Sequence, residues 1–312
     1  MNLWISVPSI VIPEPITSTS SKGSDDIRRR IFLAYSSTAE TTAESILPRL
    51  KTNVLEAEDL AAIALRPLLT DRYSDWTPNV FLDCCSSATI GDSSHATELA
   101  KTMELTTALP YTFGGQGGTE VIQAFQFLQN IEQEMNREAI LCASQKAIPS
   151  GNGFHDKEFP VAEAVAAIAI SMSPLAFAKS FRVVSTASTH RIGDWQDGLG
   201  DILDEVLEHA GTAKEGIEWS IAHRFSDSFL QAAREALPHA KWLVRELYPE
   251  FNFGCADPLI SLQNLFVAMP RPPIGTGVIW FVGKLNSVGV ILINAHSVSL
   301  WNRYISEKPP YV

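Results

Sequence analysis

Short, nearly continuous apolar runs recur along this chain, with amphipathic helical stretches between them. Asn79–Cys85, directly after Pro78, and Ala139–Ser144 show no polar/apolar alternation, which suits strands buried on both faces of a parallel sheet. Val161–Met172 reads as a short helical turn and then a strand. Leu3–Ile12, Phe181–Thr186, Glu218–Ala222 (ending at His223), Val278–Val282 and Val288–Asn294 read as further strands. Between them, Ala57–Leu69 carries Leu60, Ala61, Ala64, Leu65 and Leu68 at helical spacing. Ser94–Met103, Asp201–Ala210, Phe229–Leu237 and Leu259–Met269 read as helices too. Strands alternating with helices predict an α/β fold with helices covering the sheet. The second part of the chain repeats the element order of the first, with no strong sequence repeat.

At 312 residues the chain is long for one ordinary domain and short for three, so one two-lobed domain or two similar halves is expected. Hydrophobic residues make up 46% and charged residues 19%, enough to bury a large core. The net charge of −11 gives no electrostatic reason to bind nucleic acid or an anionic membrane. The longest apolar run, Val161–Met172, contains Glu163 and falls short of the roughly 20 residues a membrane helix needs. Met1–Ile12 has no basic flank and is interrupted by Pro8, so it does not read as an export signal. Three of the four cysteines (Cys84, Cys85, Cys142, Cys255) lie in strand-like runs, which predicts reduced thiols and a cytoplasmic protein. No Cys/His spacing suits zinc, and no cofactor motif is present, so neither metal nor cofactor is expected. Thr17–Asp26 reads as a loop. Arg28, Arg29 and Arg30 form the one dense basic run, either a solvated turn or a contact for an anionic substrate or carrier.

Tyr111–Thr119 carries Gly114, Gly115, Gly117 and Gly118, and an amphipathic helix with Val121, Ile122, Phe125, Leu128 and Ile131 follows at once. No Gly-Lys-Ser/Thr ends this segment, and it lacks Gly-x-Gly-x-x-Gly, so neither phosphate-binding loop is present. No Gly-x-Ser-x-Gly elbow occurs either, which argues against a serine hydrolase. Asp156, Glu158 and Glu163 suit a solvated loop better than paired catalytic carboxylates.

The order of these elements resembles the ketoacyl-ACP synthase III branch of the thiolase superfamily, over residues 57 to 295. Ala57–Leu69 resembles the helix before the first central strand, and Asn79–Cys85 that strand. Met103-Glu104-Leu105 resembles the family's triplet ahead of the nucleophile segment. There a cysteine opens a long buried helix. Placing that cysteine at Gly115 puts Val121, Ile122 and Phe125 on the family's apolar helix positions. Placing it at Gln116 would put Gln123 and Gln126 there, although glutamine at this position marks decarboxylating ketosynthases. The family's Asp-Gly-Ala turn falls on Glu163-Ala164-Val165. Trp219–His223 resembles the strand leading to the catalytic histidine. Phe253–Asp257 matches the turn that holds the catalytic asparagine, with Cys255 in its place. The resemblance implies a thiolase-like fold of two pseudo-symmetric α/β halves, 1–178 and 179–312, in an αβαβα arrangement.

It also implies what the chain lacks. Condensing enzymes hold a thiolate at a helix N-terminus, where N–H groups and the macrodipole favour negative charge. A histidine and an asparagine then stabilise the thioester enolate, with oxyanion donors beside them. Glycine at the cysteine position permits no covalent acyl intermediate. His223 is the one matching side chain. It is a residual catalytic group or a structural histidine. Cys255 could pair with it as a Cys/His couple or be a small buried turn residue. Gln116 could donate to an oxyanion or be an ordinary loop residue. Three functions follow from this. The first is a degenerate subunit pairing with an active condensing-enzyme paralogue, similar to the cysteine-free subunit of alkylquinolone-forming enzymes, with Thr119–Gln133 and its flanking strand at the interface. The second is an acyltransferase or decarboxylase on acyl or malonyl thioesters that uses His223. The third is a module that binds acyl-CoA or acyl carrier protein through Arg28–Arg30, or through Lys179 with Arg182.

Overall fold

The structure, a computed structural model, describes residues 3–13, 31–32, 57–70, 77–86, 95–115, 117–131, 138–145, 159, 163–172, 180–190, 196–246, 248–249, 251–268, 274–283 and 287–295. Its elements run β1 (Leu3–Ser6), β2 (Ser9–Pro13), β3 (Ile31–Phe32), α1 (Ala57–Thr70), β4 (Val80–Cys85), α2 (His95–Thr102), β5 (Leu109–Gly114), α3 (Glu120–Asn130), β6 (Ala139–Gln145) and β7 (Ala164–Ser171). They continue as β8 (Ser180–His190), α4 (Gln196–Ala210), β9 (Trp219–Ala222), α5 (Asp227–Ala236), β10 (Lys241–Trp242), α6 (Asp257–Ala268), β11 (Gly275–Val282) and β12 (Ser287–Ala295).

The long apolar runs form strands as expected. Leu3–Ile12 divides into two strands around Val7 and Pro8, because proline has no N–H to give a ladder. The glycine-rich segment begins as a strand, β5, which glycine content had hidden. Val165 and its neighbours are extended in β7, paired with β6 and β2, so no turn lies at Ala164-Val165.

The strands follow one path, β10-β9-β11-β12-β8-β1-β7-β6-β4-β5, with β2 on β7 and β3 on β2. Pairing senses repeat along it. β4 is parallel to β5 and β6, β6 is antiparallel to β7, and β7 to β2. β9 is likewise parallel to β10 and β11, β11 is antiparallel to β12, and β12 to β8. β1 lies between β7 and β8 and joins the two sets.

Strand periodicity sorts the core into three layers. Val80, Leu82 and Cys84 of β4 and Ala139, Leu141 and Ala143 of β6 face a central cluster that contains α3 and α6. Phe81, Ile140 and Cys142 point the other way, onto α1 and α2. In the second half, Ile279, Phe281, Ile291 and Ile293 face the centre. Val278, Trp280, Val290 and Leu292 face α4 and α5. The result is helix, sheet, helix, sheet, helix. α3 is amphipathic: Val121, Ile122, Ala124, Phe125 and Leu128 are fully buried, while the half-buried Gln126 and Gln129 bond Ser188 and Thr186 of β8. Gly289 of β12 lets α3 close in, since a Cβ there would fall 2.5 Å from Ile122 Cγ1. On the outer face, His95 at the start of α2 puts Nδ1 2.5 Å from the buried Asp83 carboxylate and pins that helix to β4.

Candidate active site

β9, flanked by β10 and β11 and parallel to both, delivers His223 into the interior, fully buried. The turn ahead of α6 meets it there. Asn252 accepts a hydrogen bond at Oδ1 from the Gly254 N–H at 2.8 Å, an asparagine turn closing on the residue two ahead. Gly254 takes φ +54, which glycine adopts without strain. The same Oδ1 lies 2.8 Å from His223 Nε2. Because Oδ1 is already an acceptor, Nε2 must be the donor. Nδ1 is then free of a proton and accepts from the Val282 N–H at 3.3 Å. The imidazole is thus fixed as the neutral Nε2–H form. Burial lowers its pKa from the ordinary 6.5, opposed by the nearby Asp257 charge and the Asn252 bond.

A buried ion pair holds this turn. Asp257, at the start of α6, receives Arg245 Nη1 at 2.8 Å, the Arg224 N–H at 3.0 Å and the Phe253 N–H at 3.2 Å. Arg245 also donates to the carbonyls of Tyr248 and Phe251, at 3.1 and 2.6 Å, and lies over the Phe253 ring. The carboxylate therefore fixes the residue after His223 and the residue after Asn252 together.

The sequence assignment of the asparagine position is corrected here. The group opposite His223 is Asn252, not Cys255. Cys255 occupies the 3-10 turn Gly254–Ala256; its N–H donates to Ser86 Oγ at 2.7 Å and its thiol faces the carbonyls of Cys84 and Ser144. Burial, and then the charge of Glu120, push the Cys255 thiol well up, so it is a neutral donor and makes no couple with His223. The sequence match had placed the turn three residues too late, with Gly254 on the family's glycine. Asn-x-Gly, the signature of an asparagine turn, was the overlooked signal. Arg245 and Asp257 carried no motif signal at all.

Gly115 is exposed at φ +83, and a Cβ there would meet nothing within 4 Å. Gly118 is the loop residue beside the histidine. A Cβ on it would come 3.0 Å from His223 Cε1 and 2.0 Å from the Val282 carbonyl oxygen. No side chain fits there. The N–H groups of Gly117 and Gly118 donate to the buried carboxylate of Glu120, at 2.6 and 2.8 Å. Gln116, Arg28, Arg29, Arg30 and Lys179 lie outside the described residues, while Arg182 is half-buried on β8. The arrangement orients His223, but both of its ring nitrogens are engaged within the chain, Nε2–H by Asn252 and Nδ1 by the Val282 N–H.

The lowered His223 pKa has a consequence for stability. An unfolded chain protonates this imidazole more readily than the folded one, so stability is complete above about pH 6.5 and falls as pH drops through the folded pKa. Denaturant midpoints measured from pH 8 downward should show this slope in the native protein. His223→Gln should flatten it below about pH 6.5; an unchanged slope would exclude His223 as its source.

No protein-family model matches the sequence. No curated protein matches it either. Solved structures do, along nearly the whole chain. The acyltransferase ChlB3 superposes with a TM-score of 0.67 at 14% identity, covering 96% of this chain and 100% of that one. 3-Oxoacyl-[acyl-carrier-protein] synthase III from Aquifex aeolicus gives 0.67 at 13% identity, covering 94% and 99%. The C-terminal type III polyketide synthase domain of Steely1 from Dictyostelium gives 0.68 at 11% identity, covering 95% and 99%. At such identities the likeness establishes the fold, and the fold is thiolase-like. Among the described residues no helix is long and apolar enough to cross a membrane.

Proposed function

We propose that this chain is a catalytically degenerate, ketoacyl-ACP-synthase-III-like subunit. It pairs with an active condensing-enzyme paralogue in fatty-acid-derived or polyketide-type biosynthesis in the cytoplasm. The observation that carries the reading is the closure at Gly118. The position facing His223 has room for hydrogen only, while the ion pair and turn that hold His223 and Asn252 are intact. A scaffold kept in this detail without its nucleophile suits use by a partner.

The edge of β5 supports pairing. Among the described residues, β5 is bonded to β4 on one side and ends the strand path on the other. Its Tyr111 and Phe113 are half-buried and stack on Phe127 of α3, at 4.5 and 5.6 Å between ring centres. An unpaired edge bearing aromatic side chains is a template for another chain's strand. Co-expression with an intact synthase-III-like protein encoded beside it should give a stable heteromer by size exclusion and native mass spectrometry. A stable homodimer that binds no such synthase would remove the proposal.

The retained His223–Asn252 pair favours one second reading, a decarboxylase or acyltransferase acting on malonyl or acyl thioesters without a covalent intermediate, in which substrate would take the Nε2–H from Asn252. Turnover by the isolated chain that is lost in His223→Ala would support it. Absence of turnover would exclude it.

A further inference from the structure

Glu120 is the first residue of the eleven-residue helix α3, yet it is not a cap of that helix. A capping side chain reaches forward to N–H groups inside the first turn. The carboxylate of Glu120 turns back, past the N-cap Thr119, to the N–H groups of Gly117 and Gly118 in the preceding loop. Thr119 itself makes no capping bond; its hydroxyl donates to Ser287 across the central layer, at 3.1 Å. Glu120 is fully buried. A buried carboxylate is costly unless it is compensated. Two short charge-assisted bonds and the positive end of α3 provide that compensation. One of the two donors belongs to Gly118, the residue against the His223 ring. The charge also reaches the turn below, where it contributes to raising the thiols of Cys84 and Cys255.

We propose that Glu120 is an internal anion, occupying the Gly117–Gly118 donor pair beside His223 and so closing this site to the negatively charged oxygen of a bound thioester or carboxylate. The inference rests on the non-catalytic reading above and names what keeps the site shut. A site built to receive an oxyanion presents open donors to it; here the chain satisfies its own.

Removing the carboxylate should leave a space that a small carboxylate fills and a neutral molecule of the same shape does not. The native protein and Glu120→Ala are melted across a titration of formate, with formamide as control. Formate should raise the melting temperature of Glu120→Ala saturably, formamide should not, and neither should shift the native protein specifically. Equal rescue by formamide, no rescue by formate, or an equal formate shift in both proteins would overturn the proposal. If Glu120→Ala yields no folded protein, Glu120→Gln is read by amide exchange. Its amide keeps one acceptor and sets an NH2 against the other donor, so one of the Gly117 and Gly118 amides should lose protection. Two amides as slow as in the native protein would overturn the proposal. Acyl-thioester turnover by the native protein would instead remove the non-catalytic reading and leave the formate result standing.

Discussion

Replacing Arg245 with methionine should lower the unfolding free energy by about 3–5 kcal/mol, a large share of the roughly 5–15 kcal/mol that holds a domain together. The size follows from burial. Both side chains of the Arg245–Asp257 pair are fully inaccessible, so losing the guanidinium strands a carboxylate in the interior. It also strips the donor from the Tyr248 and Phe251 carbonyls, which frame the Asn252 turn. Chemical denaturation measures the loss as a fall in midpoint at constant slope. The double variant Arg245→Met with Asp257→Asn should recover part of it, because the amide removes the uncompensated charge and keeps an oxygen for the Arg224 N–H. A single-variant cost within about 0.5 kcal/mol, as at ordinary surface positions, would show that the pair does not anchor the turn.

Gly118→Cys, which would place a thiol against His223, should destabilise the fold and not create a condensing enzyme. Its Cβ would lie 2.0 Å from the Val282 carbonyl oxygen, a backbone atom that cannot rotate away. Overpacking of this kind costs about 1–3 kcal/mol, and more where backbone must shift. Gly115→Cys is the informative companion. Space is open there, and the positive φ costs about 1–2 kcal/mol for a side chain, so this variant should fold. Its thiol should react with a disulfide reagent as an ordinary exposed thiol. Mass spectrometry should find no acyl adduct on it after incubation with acyl-CoA. A stable Gly118→Cys protein that becomes acylated would show that the site is only one substitution from activity.

The sheet framework was legible in the sequence because its strands are buried on both faces, and runs such as Asn79–Cys85 and Val288–Asn294 can hardly be anything else. β5 was not, since its glycines and half-exposed aromatics resemble a loop until β4 is seen beside it. His223 was legible from the strand that ends on it. Its partner was missed by three residues, because a turn's register depends on which atom bonds to which, and Asn252 and Cys255 are both small and buried. Gly118 and Glu120 were out of reach for a related reason. The first matters through a carbonyl more than 160 residues away, and the second through a bond that runs backward from its helix.

The place of β1 between β7 and β8 has a consequence for how the chain is made. Leu3 pairs with Val183, so a strand that leaves the ribosome early cannot find its second neighbour until β8 has been synthesised. At roughly 5–20 residues per second, that wait lasts on the order of ten to forty seconds. Until β7 emerges the Leu3–Ser6 strand has neither neighbour, and until β8 emerges it has only one. Nascent chains stalled before residue 180 should therefore be the ones that ribosome-associated holding chaperones engage most strongly, with release following the emergence of β8.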